Sequence, residues 1–499
     1  MSMKTYQKTL PPVCAAILLA AAAPALAKVP GVGGNAADGT TVAPPASCSG
    51  PAAIRNFFLT ARTGHITLGD GNTLLTWGYS TDAFTTATAD TGKLQYPGPT
   101  LIVCQGDTVN VTLRNRLPDR VSIIFPGQYG VTAVNQGGSA NGALTREALA
   151  FANANNGVKY SFVASAAGTY LYQSGTDVDL QLEMGLVGAL IVRPQGFVDG
   201  TYASHTIARR AYGTQSTAYD VEYLFFQTEM DRSAHEAMER HLANPTVDPR
   251  PNPADFKQTL WFINGRNGPD TMLEPAVPWL PLQPYNALAQ MQPGDRVLMR
   301  LVGGGRDMHP FHHHGNNAWM IARDGRVLES TASSAANYPD YNGIPGADLA
   351  GRSTTLPDQS ISNYTIQTVP GSTYDAIFTW TGKGVDWDIY GNLPEHQPGA
   401  ACNSATRLPF EVAADHCKAF PVVLPEQQSL SFGGLWSGSQ YLGLVDPLPP
   451  LQGGLNPAGG FSYMWHSHTE RELTNDDIFP GGMMTMMIIQ KADSGAVIE

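Results

Sequence analysis

Two histidine-rich segments constrain this chain more than anything else in its sequence. They are Met308-His309-Pro310-Phe311-His312-His313-His314-Gly315 and, near the C-terminus, Trp465-His466-Ser467-His468. Together they hold six of the twelve histidines. Alternate side chains of an extended strand share a face, so His312 and His314 point one way, as do His466 and His468. Two such pairs on facing strands gather four imidazoles around one point. Neutral imidazole is the commonest protein ligand of copper, zinc and iron. One pair alone would read as chance histidines on a polar strand. Two pairs predict a metal site at His312, His314, His466 and His468.

The N-terminus reads as an export signal. Lys4 and Lys8 precede the apolar run Val13–Ala23, and Ala25-Leu26-Ala27 forms an A-x-A cleavage site. The run is short for a bilayer span, and no later stretch is long and apolar enough for one. Residues 1–27 are therefore set aside, and the expected location is secreted or periplasmic. The net charge of −12 becomes more negative once the two signal lysines leave. An acidic chain without basic clusters argues against a nucleic-acid partner. Cys14 would leave with the signal. Cys48, Cys104, Cys402 and Cys417 remain, an even number suited to an oxidising compartment. Cys402–Cys417 would be a local bridge, leaving Cys48–Cys104, although three connectivities are allowed.

Only 14% of residues are charged, while Gly (52) and Pro (37) are abundant, which suits an all-β chain rich in turns. After a loose leader, 28–50, short β-type runs follow at Ile54–Ala61, Asn72–Tyr79, Thr100–Val103, Asp107–Leu113, Val121–Phe125 and Tyr160–Val163. The block closes with Gly168–Tyr172 and Gly185–Val192. The pattern then recurs. Gln292–Leu301 echoes Cys104–Leu113, and Phe461–Ile489 echoes Thr169–Val192. The expectation is two β-sandwich domains, 51–195 and 205–495, the second enlarged by insertions at about 325–365 and 383–458. Ser233–Leu242 is the one clear helix candidate. His235-Glu236-Ala237-Met238-Glu239 lacks the second histidine of a zinc-protease helix, so it reads as a solvated connector.

These residues resemble the multicopper oxidases, over nearly the whole chain after the signal. Tyr96-Pro97-Gly98-Pro99-Thr100 with Gly106-Asp107 is similar to the family's first-domain opening. His309-Pro310-Phe311-His312-His313-His314-Gly315 matches its HPxHxHG motif, and His466-Ser467-His468 with Gly482-Met483 is similar to its closing HCH…GM. The resemblance implies two Greek-key cupredoxin-like sandwiches, like those of two-domain laccases and copper nitrite reductases. In that family an electron enters at a type-1 copper and passes to a three-copper cluster that reduces dioxygen. At the type-1 position His309 fits the first histidine, but Ser467 stands for the cysteine and Glu472 for the second histidine, with Met483 for the axial methionine. A hydroxyl does not replace a soft thiolate. His309, Glu472 and Met483 are therefore secondary metal candidates, and ordinary laccase activity is not expected. The four last-domain cluster histidines are present. The first-domain four are replaced, by Ile124-Phe125-Pro126-Gly127 and Gln173-Ser174-Gly175.

Half a cluster remains: four histidines for one copper, with zinc or manganese as alternatives. Asp307, Asn316, Glu470 and Glu472 are candidates for orienting the imidazoles. Asp177, Asp179 and Glu183 are candidates for oxygen ligands from the first domain. Met464, Met483, Met484, Met486 and Met487 read as core filling first and as copper(I) ligands second. Three functions follow: a copper protein with one-centre oxidoreductase chemistry, a copper storage or delivery protein using the same residues, and a metal-free interaction protein on the same sandwiches. The partner would be a small molecule or metal ion. The resemblance also implies a homotrimer, although the first domain lacks histidines to bridge subunits.

Overall fold

The computed structural model describes residues 29–36, 40–81, 92–135, 144–151, 157–200, 209–330, 356–382, 427, 433–434, 437–441 and 460–490. The expected export signal, residues 1–27, and both insertion cysteines, Cys402 and Cys417, lie outside them.

The fold is all-β, with two cupredoxin-like sandwiches. In the first, β1 (Ile54–Thr67), β2 (Thr73–Thr81), β3 (Gly98–Cys104), β4 (Thr108–Asn115), β5 (Thr132–Asn135), β6 (Val158–Val163), β7 (Gly168–Gln173) and β8 (Val187–Arg193) form two sheets. One runs β2-β1-β4-β6-β5 and the other β3-β8-β7. In the second sandwich, β9 (Val221–Met230), β10 (Leu260–Ile263), β12 (Val297–Gly303), β14 (Ala318–Arg323) and β16 (Thr373–Phe378) lie in the order β10-β9-β12-β16-β14. Facing them are β11 (Ala289–Met291), β13 (His309–His313), β15 (Thr365–Thr368), β17 (Gly460–Ser467) and β18 (Met484–Ile489), in the order β11-β18-β17-β13-β15. The internal repeat seen in the sequence is a repeat of topology. β1 is parallel to β4 as β9 is to β12, and β3 is parallel to β8 as β11 is to β18.

Each sandwich buries its own core, around Trp77, Tyr160 and Tyr172 in the first and around Phe311, Trp380 and Trp465 in the second. A third cluster joins the two: Tyr96, Leu171 and Ile191 meet Phe226, Leu260 and Phe262. Beside it lies a buried ionic chain that also crosses the junction. Arg193 Nη1 donates to Glu222 Oε2 (2.7 Å), and Arg300 Nε donates to the same oxygen (2.8 Å). Arg300 lies 3.6 Å from Asp375, which accepts from Thr169 Oγ1 at 2.7 Å. Two guanidiniums thus meet two carboxylates, with every side chain at least 95% buried.

Three sequence expectations need correction. The leader is not loose. Val32 pairs with Thr100 and Ile102 (2.8 and 2.9 Å), Val29 is buried, and the Cys48–Cys104 disulfide fastens the segment to β3. Val121–Phe125 is not a strand and makes only isolated bridges at Val121 and Ile124. The expected helix forms over Arg232–Ala243, capped by the Asp231 carboxylate accepting from Ser233 N (2.9 Å). It is not merely solvated, since Ala234, His235 and Met238 are buried and His235 Nε2 lies 3.0 Å from the Glu183 carbonyl oxygen.

Candidate metal centre

Strand pairing builds the site. β13 and β17 are antiparallel, with His312 directly opposite His466. The face that carries His312, His314, His466 and His468 is opposite the core face, which holds Phe311, Trp465 and the buried His313. One ligand nitrogen from each of His312, His314 and His466 lies within 4.8 Å of the other two. His314 Nε2 and His466 Nε2 are 3.1 Å apart. His468 stands at the rim, its ring centroid 4.9 Å from that of His312 and its side chain 46% exposed.

The hydrogen bonds fix which nitrogen is free. His312 Nδ1 lies 2.8 Å from the Tyr364 carbonyl oxygen and 2.9 Å from Thr365 Oγ1, so it carries the proton and leaves a lone pair on Nε2. That Nε2 is buried and without a partner, and so is His314 Nδ1. His466 Nδ1 lies 2.6 Å from the Ser467 carbonyl oxygen, which likewise leaves Nε2 as the acceptor. Buried polar atoms rarely go unpaired. Imidazole nitrogens bound to one first-row ion at about 2.0–2.1 Å lie about 3 Å apart, so the observed convergence fits a shared cation. Burial, reinforced by the neighbouring imidazoles, lowers His312 to about 4 and His314 to about 3; burial also lowers His466. All three rings are neutral, and so able to ligate, at neutral pH.

Of the four expected orienting residues, none holds one of the three converging rings. Asn316 donates to Thr379 O (2.9 Å), Glu470 lies 3.8 Å from the rim histidine His468, the Asp307 backbone donates to Glu229, and Glu472 binds His309. The orienting groups are two backbone carbonyls and Thr365, whose strand borders β13. Strand parity could have flagged Thr365, but no sequence signal marks a carbonyl. The first-domain carboxylates are engaged elsewhere: Asp177 with Arg250 (3.4 Å), and Glu183 with Arg306 (3.2 Å), where burial raises Glu183 to about 8. Asp179 sits in the first turn of the short helix Val178–Glu183.

Gly433, from the second insertion, lies over the site and its carbonyl accepts from Gly315 N (2.8 Å). A Cβ at this position would come within 2.6 Å of His312 Nε2.

The type-1 position is occupied by an ion triad. His309 is fully buried, its Nε2 2.8 Å from Glu229 Oε2 and its Nδ1 2.9 Å from Glu472 Oε2. Burial alone would lower its basicity, but hydrogen bonds to the two carboxylates raise it to about 10. His309 is therefore an imidazolium with no lone pair to offer. Glu229 also accepts from the backbone amides of Arg306 and Asp307. Ser467 and Met483 are buried beside the triad, linked by Ser467 N to Met483 O at 2.9 Å. The sequence alignment thus brings His309, Ser467, Glu472 and Met483 together, but as a salt-bridged core. Glu229 was missed, because nothing in the spacing of 229 and 309 joins them.

In the first sandwich, Ile124 pairs directly with Gln173, in both directions at 2.9 and 3.2 Å. Those positions correspond to His312 and His466, which pair in the same way. The first-domain ligand positions are thus in register but carry no imidazole.

Fold and site together define a cupredoxin-type protein with one histidine centre. Residues 79–196 and 251–387 each match a family model described as multicopper oxidase. The chain belongs to the multicopper oxidase family, a family whose cofactor is copper. Among solved structures, the blue copper oxidase from Nitrosomonas europaea is similar, at 17% identity and a TM-score of 0.47, covering 88% of this chain and 86% of that one. The copper nitrite reductase from Nitrosomonas europaea is also similar, at 14% identity and a TM-score of 0.41, with 90% and 97% coverage. No curated protein matches by sequence.

Proposed function

We propose that this chain is an exported copper-binding protein. It holds one copper between His312, His314 and His466, with His468 at the rim, and has no type-1 copper. The convergence of three neutral imidazoles, with His312 Nε2 buried and unpartnered, carries the reading. Copper held there supplies a one-electron redox couple and a Lewis acid. The chain's own part is to fix the rings: Tyr364 O and Thr365 hold His312, and Ser467 O holds His466. Any oxidoreductase activity is one-centre chemistry with small reactants, since the triad at His309 leaves no entry point for long-range electrons. Export is supported by the Cys48–Cys104 disulfide. No helix among the described residues is long and apolar enough to cross a membrane.

The test is metal content and EPR after copper loading and dialysis. The wild type is expected to keep about one copper per chain without an intense blue band. His312→Ala/His466→Ala is expected to lose it. His468→Ala, which removes the exposed rim ring, is expected to weaken retention less. A wild type that keeps no copper would overturn the reading. Turnover of a reductant with dioxygen then separates an oxidase from a storage protein.

The depressed basicities give a pH prediction. Free imidazole competes for protons near pH 6.5, whereas His312 and His314 compete only near 3–4, and burial lowers His466 as well. Copper retention should therefore stay flat from pH 8 to about 5 and fall below that. A loss centred near pH 6.5 would show that the rings are ordinary exposed histidines.

A further inference from the structure

The five C-terminal methionines fall into two groups that the sequence does not separate. Met483 and Met487 are fully buried in the second core, where filling space accounts for them. Met464, Met484 and Met486 are half-buried and face the other way, on the side of the sheet that carries the histidines. Their register is specific. Met464 is directly opposite Met486, and Met484 is directly opposite His466. His466 is in turn opposite His312, and His314 N donates to Met464 O at 3.2 Å. Two rows therefore cross three strands: His312–His466–Met484 and His314–Met464–Met486. Each begins in imidazole and ends in thioether.

We propose that Met464, Met484 and Met486 form a second metal site, selective for copper(I), next to the histidine centre. Thioether sulfur is a soft donor that suits copper(I) and not hard divalent ions. Directly opposed residues have Cβ atoms about 4.5–5.5 Å apart and diagonal ones about 7–8 Å. Each sulfur stands two bonds beyond Cβ on a flexible chain, so all three can reach one ion between them. Met484 Cε lies on the side-chain side of Gly268, where an added Cβ would meet it at 3.4 Å. Thioethers carry no proton, so this site takes up copper(I) without releasing any. The proposal does not require the histidine centre to hold copper(II).

The experiment is anaerobic copper(I) titration of the full exported chain against a chromophoric copper(I) chelator, with copper EXAFS. The wild type, Met464→Leu/Met484→Leu/Met486→Leu and His312→Ala/His466→Ala are compared. Leucine keeps volume and apolarity, and single Met486→Leu is the fallback if the triple variant folds poorly. The wild type is expected to bind one copper(I) more than the triple variant, with a sulfur shell that the triple variant loses. The single variant should bind at least tenfold more weakly. The methionine-dependent part should be unchanged from pH 7 to 5, unlike copper held by a thiol, which must release its proton. Equal stoichiometry and affinity in the wild type and the leucine variants would overturn the proposal. Copper(II) EPR on the same proteins reports the histidine centre separately. Absence of that signal from the wild type, with methionine-dependent copper(I) binding retained, would sink the histidine reading alone.

Discussion

Glu222→Ala is expected to lower the free energy of unfolding by about 3–5 kcal/mol. The carboxylate is shared by Arg193 from the first sandwich and Arg300 from the second, with no solvent to screen either ion. Burial alone would raise its pKa, but Arg193 and Arg300 hold it well below the usual carboxylate range. Truncation leaves two buried guanidiniums with only Asp375 between them. The cost is mainly that of uncompensated charge, not the worth of the pair. Replacing the whole group by apolar residues of similar volume should therefore be far milder than the single change. Urea unfolding of both variants checks this, and a single-variant loss below about 1 kcal/mol would mean that the arginines find other partners. The folded pKa is depressed, so the stabilisation is complete above the unfolded value. It is lost progressively as pH falls from the unfolded value toward the depressed folded value, and is gone below that.

His309 is expected to remain an imidazolium at pH 8, where an ordinary histidine is neutral. Here the sign is reversed. The folded pKa, about 10, lies above the unfolded value near 6.5. The stabilisation is complete below about pH 6.5 and is lost as pH rises through about 10, to a total on the order of 4–5 kcal/mol. Nitrogen NMR of the labelled ring checks the protonation, and stability measured from pH 6 to 10 checks the linkage. A neutral ring at pH 8 would mean that one carboxylate holds a proton instead. The triad also leaves His309 no donor atom for a metal, because two carboxylates clamp opposite ring nitrogens.

Much of this was legible in the residues. Gly-Pro turns and repeated strand signatures announced two sandwiches, and HPFHHHG with HSH announced converging imidazoles. Strand parity was enough to separate His312 and His314 from His313. What failed to show depended on long-range placement. Glu229 reaches His309 only because β9 ends beside the Gly305–Asp307 turn, whose amides seat its carboxylate. Tyr364 and Ser467 act through carbonyls, which every residue has. Val121–Phe125 has strand residues but, beyond Val121 and Ile124, no ladder partner. The half-buried methionines differ from their core neighbours only by parity within one strand, which needs the register to be known.

Gly433 brings part of a large insertion to the candidate metal site. A glycine there passes its backbone over His312 Nε2, with φ near +77, while the smallest side chain would put carbon 2.6 Å from that nitrogen. The described part of the insertion thus covers that nitrogen with backbone alone. A methyl group at position 433 would press on His312 and His314 and is expected to block the His312 Nε2 lone pair without replacing any histidine.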